Sequence, residues 1–267
     1  MQILRHSRGF TLVEAIMVIV ITGIVAGVVA TFVARPIAGY LDTVRRAAMT
    51  DAADLALKRM AQEIRTALPN SVRVDGSGLA LEFIPAAEVG AYLAEPSPTA
   101  GNSISLFGSA NIPAVASGSA KPQLVIYNTG QSGLNAYVGG NRRDISSAAG
   151  SVSAIAYSGA AFPEESPSQR FQIVSALEAG VTGGPVSFVC NLSEGKLYRY
   201  VGYGYSASQA VPPSGGARAL MMDKVSGCHF SWENALVTNG LASLSLTLTR
   251  EGESITLQHQ LHVSNLP

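Results

Sequence analysis

The hydrophobic pattern changes twice along this chain. Residues 15–34 contain no charged side chain and are apolar almost throughout. Such a run is apolar on every face of a helix and long enough to cross a bilayer. Pro36 ends its uniformity and removes one helical hydrogen bond. From 41 to 68 the pattern becomes periodic. Leu41, Val44, Ala48, Ala52, Leu55, Met60, Ile64 and Leu68 fall mostly at steps of three and four, with Asp42, Arg45, Arg46, Asp51, Asp54, Lys58, Arg59, Gln62 and Glu63 between them. This predicts an amphipathic helix with one stripe on a globular partner, stopped by Pro69-Asn70. Joined, residues 10–68 form one helix of about 88 Å at 1.5 Å per residue.

Beyond residue 70 the helical period is lost. Short apolar runs alternate with Gly, Ser, Pro and Asn, which predicts an antiparallel β domain. Candidate strands are 79–84, 104–107, 123–128, 134–138, 152–157, 170–177, 186–191, 196–203, 228–232, 242–250 and 254–263. The last two are the clearest. Leu244, Leu246 and Leu248 alternate with Ser and Thr, as Ile255, Leu257, Leu261 and Val263 do with polar residues. Glu251-Gly252 between them suits a two-residue hairpin turn. The Gly/Ser/Pro/Ala-rich stretches 85–103, 108–120 and 206–217 read as loops.

The membrane-length run has an unusual entrance. A basic leader with Arg5, His6 and Arg8 comes first, then Gly9-Phe10-Thr11-Leu12-Val13-Glu14. Basic residues before an apolar helix hold that end in the cytoplasm and place the rest outside. A carboxylate just inside such a helix is costly and calls for a partner. The segment admits three readings: a secretory signal cut after the small residues Val28-Val29-Ala30, a plain anchor, or a helix whose leader is cut at Gly9/Phe10. Glu14 either snorkels to the headgroups or pairs with an amine. Gly23 and Gly27 stand one turn apart, a spacing that permits close helix contact in lipid and is also ordinary in membrane helices.

The third reading carries a family resemblance. Gly-Phe-Thr-Leu-Val-Glu before about 20 apolar residues resembles the N-terminus of type IV pilins and type II secretion pseudopilins. The resemblance implies a prepilin peptidase that cuts between Gly9 and Phe10. It also implies an N-methylated Phe10 as the new N-terminus, and Glu14 as the family's acidic assembly position. A neighbouring subunit's Phe10 amine would then be the partner of Glu14.

The likeness narrows further along the chain. It continues through Ile64-Arg65, Ala67-Leu68-Pro69-Asn70, Leu81-Glu82-Phe83, Val125-Ile126-Tyr127-Asn128, Ser166-Pro167, Arg170-Phe171 and Pro185-Val186-Ser187-Phe188-Val189-Cys190. Leu197-Tyr198-Arg199-Tyr200, Cys228-His229-Phe230 and His262-Val263-Ser264-Asn265 complete it. In that order they resemble the O-component minor pilins of the mannose-sensitive haemagglutinin (MSHA) pilus system. The chain departs from that pattern between 83 and 103, where a Gly-Gly-Arg-Tyr run is missing.

Composition narrows the classes. Only 13% of 267 residues are charged, and 18 basic side chains balance 18 acidic ones. Loss of the leader removes Arg5 and Arg8, leaving 16 against 18. No basic stripe is left to hold nucleic acid. Cys190 and Cys228 are the two cysteines. In an exported domain an even count suggests one disulfide, with two buried free thiols as the alternative.

Candidate catalytic chemistry is sparse. There is no phosphate loop, and Gly202-x-Gly204 precedes no helix signal. His259 and His262 are three apart on a strand, hence on opposite faces rather than paired on a metal. Cys190 and Cys228 lack CxxC spacing. Asn191-Leu192-Ser193 matches a glycosylation sequon by three residues only. Arg142-Arg143-Asp144 beside Asn141 reads as a solvated loop, with a partner contact as the alternative.

The expectation is therefore an α+β, pilin-like chain with a long N-terminal helix packed on an antiparallel β domain. Its parts are a leader over 1–9, a membrane or filament-core helix over 10–35, an amphipathic half over 36–69 and a periplasmic β domain over 70–267. No enzyme activity, cofactor or metal is expected. The expected partners are prepilin peptidase, major and minor pilins, the inner-membrane assembly platform and membrane lipid.

Overall fold

The computed structural model describes residues 9–93, 102–115, 120–178, 182–236 and 238–267. Residues 1–8 of the expected leader over 1–9 lie outside the described residues, as do parts of the expected loops 85–103 and 108–120. Helix α1 runs Leu12–Ile64 with Pro36 inside it. The chain divides into two compact units, Met1–Met49 and Thr50–Pro267. The boundary falls within α1, fourteen residues later than the 35/36 division read from the apolar run.

In the first unit α1 carries a membrane-length apolar stretch, Leu12–Phe32, with mean hydropathy 2.6. Its side chains are exposed on all sides: Leu12, Ile19 and Phe32 are each more than 70% accessible. A surface so apolar needs lipid or other helices around it.

The second unit contains fourteen strands among the described residues, and every strand pairing between them is antiparallel. Strands β1 (Arg73–Val74), β2 (Ala80–Phe83), β9 (Val186–Asn191), β10 (Lys196–Val201) and β11 (Ala217–Met222) form one sheet in that order. A second sheet runs β3 (Ala86–Ala91), β8 (Arg170–Val174), β5 (Gln123–Ile126) and β6 (Arg142–Asp144). Strands β4 (Ser103–Ile112) and β7 (Gly150–Ala156) pair alone. The fourth sheet is β12 (Val225–Leu236), β13 (Asn239–Arg250) and β14 (Glu253–Ser264).

Residues 50–64 of α1 belong to this unit. Their buried stripe is Ala53, Ala56, Leu57, Met60, Ala61 and Ile64. Arg199 of β10 fixes which sheet face meets it, because its Nε lies 2.6 Å from Glu63 Oε2. Cross-strand partners share a face, so Leu81 and Phe188, in register with Arg199, also face the helix. The expected stripe was correct at Met60, Ile64 and Leu68 and wrong at Leu41, Val44 and Leu55, which are 45%, 46% and 69% exposed. Leu55 is two residues, about 200°, round the helix from Ala53. Small alanines at 53, 56 and 61 form the contact and let the helix approach the sheet, so the bulkier residues misled the periodic reading. Leu57→Ala is expected to destabilise the unit by about 2–5 kcal/mol. Leu55→Ala should stay within about 0.5 kcal/mol. Denaturant unfolding of the detergent-solubilised chain distinguishes them; equal effects would overturn this placement of the stripe.

The two central strands of the second sheet, β5 and β8, are buried on both faces. Leu124, Ile126, Phe171 and Ile173 pack with Ile104, Leu106 and Ile155 of the β4–β7 pair. Val125 and Val174, on the other face, pack with Leu68, Ile84 and Tyr137. This is why β5 and β8 read as near-continuous apolar runs, whereas β13 alternates. Strand β13 buries Ala242, Leu244, Leu246 and Leu248 and turns Ser and Thr outward. Outward hydroxyls bond across strands, Thr247 to Thr256 at 2.9 Å and Thr249 to Ser254 at 2.7 Å. The turn between β13 and β14 is the expected Glu251-Gly252, both residues with positive φ (50° and 86°).

Several expectations fail here. The stretch 108–120, expected as loop, begins inside β4, which runs to Ile112, and the expected loop 206–217 ends on the first residue of β11. Residues 134–138 form turns, not a strand. Asn135 Oδ1 accepts the Tyr137 amide at 2.9 Å and Asn128 Oδ1 accepts that of Ala136 at 2.8 Å, so side chains replace a ladder. The Ala/Gly-rich segment after Phe83, expected as loop, includes β3. Its small residues are a packing requirement: a Cβ on Gly90 would sit 2.6 Å from the Phe171 ring. Arg142–Asp144 is strand β6 rather than solvated loop. The Arg142 guanidinium stacks 3.6 Å over Tyr205 and donates to the Ala136 carbonyl and Gln123 Oε1.

Candidate functional site at the start of the helix

Gly9, Phe10 and Thr11 precede the helix without regular structure. Thr11 is the N-cap: its Oγ1 accepts the Glu14 amide at 3.3 Å, and its carbonyl accepts that of Ala15 at 3.1 Å. Thr11-x-x-Glu14 therefore has the spacing of a capping box, with Glu14 at its third helical position. A carboxylate in the first turn is also favoured by the helix dipole, by about 0.3–1 kcal/mol near a surface. The sequence signal for this cap is a Thr followed three residues later by Glu.

The junction is open. Gly9 and Phe10 are exposed, Phe10 at 75%, and nothing lies within 4 Å of a Cβ built on Gly9. Gly23 and Gly27 are equally free of neighbours. Thr31 Oγ1 bonds back to the Gly27 carbonyl at 2.5 Å, which satisfies that hydroxyl within the helix. Chemically, this end offers an accessible peptide bond, a carboxylate one turn further on, and an apolar helix behind it.

The other predicted site residues lie in the second unit. Cys190 of β9 and Cys228 of β12 form a disulfide, Cα atoms 6.5 Å apart. It ties the first sheet to the fourth, where the Phe230 amide also donates to the Gly78 carbonyl at 2.7 Å. Closing a 38-residue separation is worth roughly 3–4 kcal/mol in the chain-entropy account. His259 and His262 lie on opposite faces of β14, one half-buried and one exposed. Among the described residues no group of three His, Cys, Asp or Glu is placed to hold a metal ion.

Sequence reasoning missed a buried polar cluster. Glu82 is only 3% exposed. Its Oε2 pairs with Arg73 Nε at 2.5 Å and its Oε1 accepts the Tyr203 hydroxyl at 2.8 Å. Arg73 also donates to the carbonyls of Ala207 (2.8 Å) and Ser206 (3.0 Å) and stacks 3.7 Å over Tyr137. Burial, and then the Glu82 charge, push the Tyr203 and Tyr137 hydroxyls far above the ordinary tyrosine range, so both stay protonated. The cluster fastens the 203–207 segment to β1 and β2. Its signal was a carboxylate between Leu81 and Phe83 in an otherwise apolar strand.

An asparagine set makes a second fastening. Asn70 Nδ2 donates to the carbonyls of Asn128 (2.9 Å) and Asn265 (3.3 Å), and Asn128 Nδ2 to that of Pro69 (2.6 Å). These bonds join the segment after the helix, the end of β5 and the tail after β14.

Among curated proteins and among solved structures, nothing matches the chain. Residues 4–30 match the prokaryotic N-terminal methylation motif, a type IV pilin-like motif that implies processing by a prepilin peptidase and points to a pilin or pseudopilin.

Proposed function

We propose that this chain is a minor type IV pilin of the MSHA type that takes part in pilus assembly, at initiation or at the tip, and is not an enzyme. The observation that carries the reading is the junction itself: Gly9/Phe10 exposed ahead of a capped helix, Glu14 in the first turn, and a membrane-length apolar stretch over Leu12–Phe32. In this reading the peptidase cuts after Gly9, Phe10 is N-methylated, and the helix stays in the inner membrane until assembly. The N-terminus is cytoplasmic and the β domain periplasmic. The second unit, Thr50–Pro267, is large for a repeating subunit and would crowd a shaft, which favours the tip. The MSHA assignment is supported by the order of short motifs from Ile64 to Asn265, with the assembly platform and other pilins as partners.

The capped carboxylate has a defined task. Glu14 accepts the Phe10 amine of a neighbouring subunit as the helices bundle, neutralising a charge that lipid would penalise. Glu14→Ala is expected to remain in the membrane fraction yet be missing from sheared filaments, measured by immunoblot. Normal incorporation would refute the pairing. Mass spectrometry of the N-terminus tests the reading as a whole. N-methyl-Phe10 supports it, and a chain beginning at Thr31 supports instead an exported β domain with an ordinary signal. A type II secretion pseudopilin shares the same processed N-terminus. It is separated by which filament, pilus or overexpressed pseudopilus, contains the chain.

A further inference from the structure

A hollow of about 250 Å³ opens in the second unit, where the segment after the helix, β3, β8 and the tail after β14 converge. Its walls are held by backbone bonds. The Ala86 amide donates to the Thr66 carbonyl at 2.8 Å, and that of Leu68 to the Ile84 carbonyl at 2.7 Å. The tail is pinned by the Asn70–Asn265 bonds and by Ser166 Oγ, which donates to the Pro267 carbonyl at 2.9 Å. The hollow is therefore formed before anything enters it.

One buried polar atom in its lining is unmet, and its two arginines are exposed to solvent. Gln172 is 1% exposed, and its Oε1 has no hydrogen-bond partner. A buried amide oxygen left unmet is unfavourable and calls for an explanation. Arg65 and Arg170 line the same hollow, and neither guanidinium has an ion-pair partner among the described residues. The nearest carboxylate along the helix, Glu63, is taken by Arg199 at 2.6 Å. No acidic residue lines the space, while Ala67, Pro69, Val89 and Leu266 give it an apolar floor.

We infer that this hollow is a docking site for an acidic segment of a partner protein, a Glu or Asp carboxylate received between Arg65 and Arg170 with its apolar stem on the floor and Gln172 meeting the peptide's polar groups. Two planar guanidiniums are donors suited to a carboxylate, whereas Gln172 Oε1 is an acceptor, matched to a peptide N–H beside it. The apolar floor favours a peptide over a multiply charged phosphate. The site is independent of the N-terminal processing and of the filament reading.

The test uses the detergent-solubilised full chain and a fluorescent acetyl-Glu-Leu-Glu-Leu amide peptide, read by anisotropy at low salt. Saturable binding up to millimolar peptide is expected, with none for the Gln-for-Glu peptide. Arg65→Gln and Arg170→Gln are each expected to weaken it about ten-fold. Gln172→Met is expected to weaken binding while leaving the unfolding temperature unchanged or higher, because it removes an unmet amide of similar shape. A purely structural Gln172 would lower the unfolding temperature and leave binding alone. The proposal is overturned by absence of saturable binding, by undiminished binding in both arginine variants, or by equal displacement with inorganic phosphate. It is also overturned if phosphatidylglycerol added to the detergent micelles binds the full chain in an Arg65- and Arg170-dependent way and the peptide does not.

Discussion

Gly9→Glu is expected to accumulate as an uncleaved chain, still carrying Arg5, His6 and Arg8, with no detectable processed form by intact-mass measurement of the membrane fraction. Gly9 has no neighbour within 4 Å of a built Cβ, lies outside the helix, and does not occupy the left-handed region reserved for glycine. The chain itself therefore has room for a glutamate there, and the helix cap at Thr11 is two residues away. A block in processing would then report on the peptidase's need for a small residue at the cut rather than on misfolding. The consequence extends to Glu14. An uncut chain has no amine at Phe10, so a subunit carrying Gly9→Glu is expected to be excluded from filaments as well. Fully processed protein from this variant would remove Gly9 from its assigned role.

Glu82→Ala is expected to be the most damaging of the single substitutions in the β domain. Glu82 and Arg73 are mostly out of water, with side chains 4% and 22% exposed. Removing the carboxylate leaves the guanidinium against the Ser206 and Ala207 carbonyls without its counter-charge, and takes the acceptor at 2.8 Å from Tyr203. Breaking a buried pair from one side costs about 3–5 kcal/mol. For a domain of this size that is a fall of roughly 6–20 °C in the unfolding midpoint. Lys58→Ala, which breaks the exposed Asp54–Lys58 pair at 2.7 Å, supplies the comparison and is expected to cost less than about 1 kcal/mol. Replacing both members, Arg73→Met with Glu82→Leu, is expected to recover part of the loss, because no buried charge is then left alone. A Glu82→Ala midpoint no lower than that of Lys58→Ala would show the cluster to be energetically idle.

These two substitutions mark two kinds of legibility. The arrangement of Gly9, Phe10 and Glu14 ahead of an apolar helix could be read directly, because it is local: a junction, a first turn and a continuous apolar run lie within 34 consecutive residues. The β13–β14 hairpin was legible for the same reason, since alternation and a two-residue turn are short-range properties. Glu82 was not. Its meaning depends on Tyr203, 121 residues away, and on a loop whose carbonyls complete the shell of Arg73.

The same distinction explains the misplaced elements. Ala86–Ala91 looked like a loop because alanine and glycine have low strand propensity, and its ladder to β8 becomes visible only beside Phe171. Arg142 and Arg143 looked solvated because charge predicts exposure, yet their guanidiniums are held by Tyr205, Gln123 and the carbonyls of Ala160 and Ala161. The helix stripe was misphased because the periodic reading weighed Leu55 above Ala53, whereas the sheet selects the face that can come close.

By itself, then, the sequence determined the helix, its apolar first half, the cleavable-looking junction with its carboxylate, the β character of the remainder and the two cysteines available to pair. Only the tertiary structure decided which helix face is buried, that Cys190 and Cys228 lie close enough to join, and that Arg73, Glu82 and Tyr203 form one cluster. It also decided that Arg65, Arg170 and Gln172 border one hollow. The physical reason is range. Helix period, strand alternation and caps arise from neighbours a few residues apart, while burial, charge pairing and cavities arise between segments that meet only when the sheets assemble.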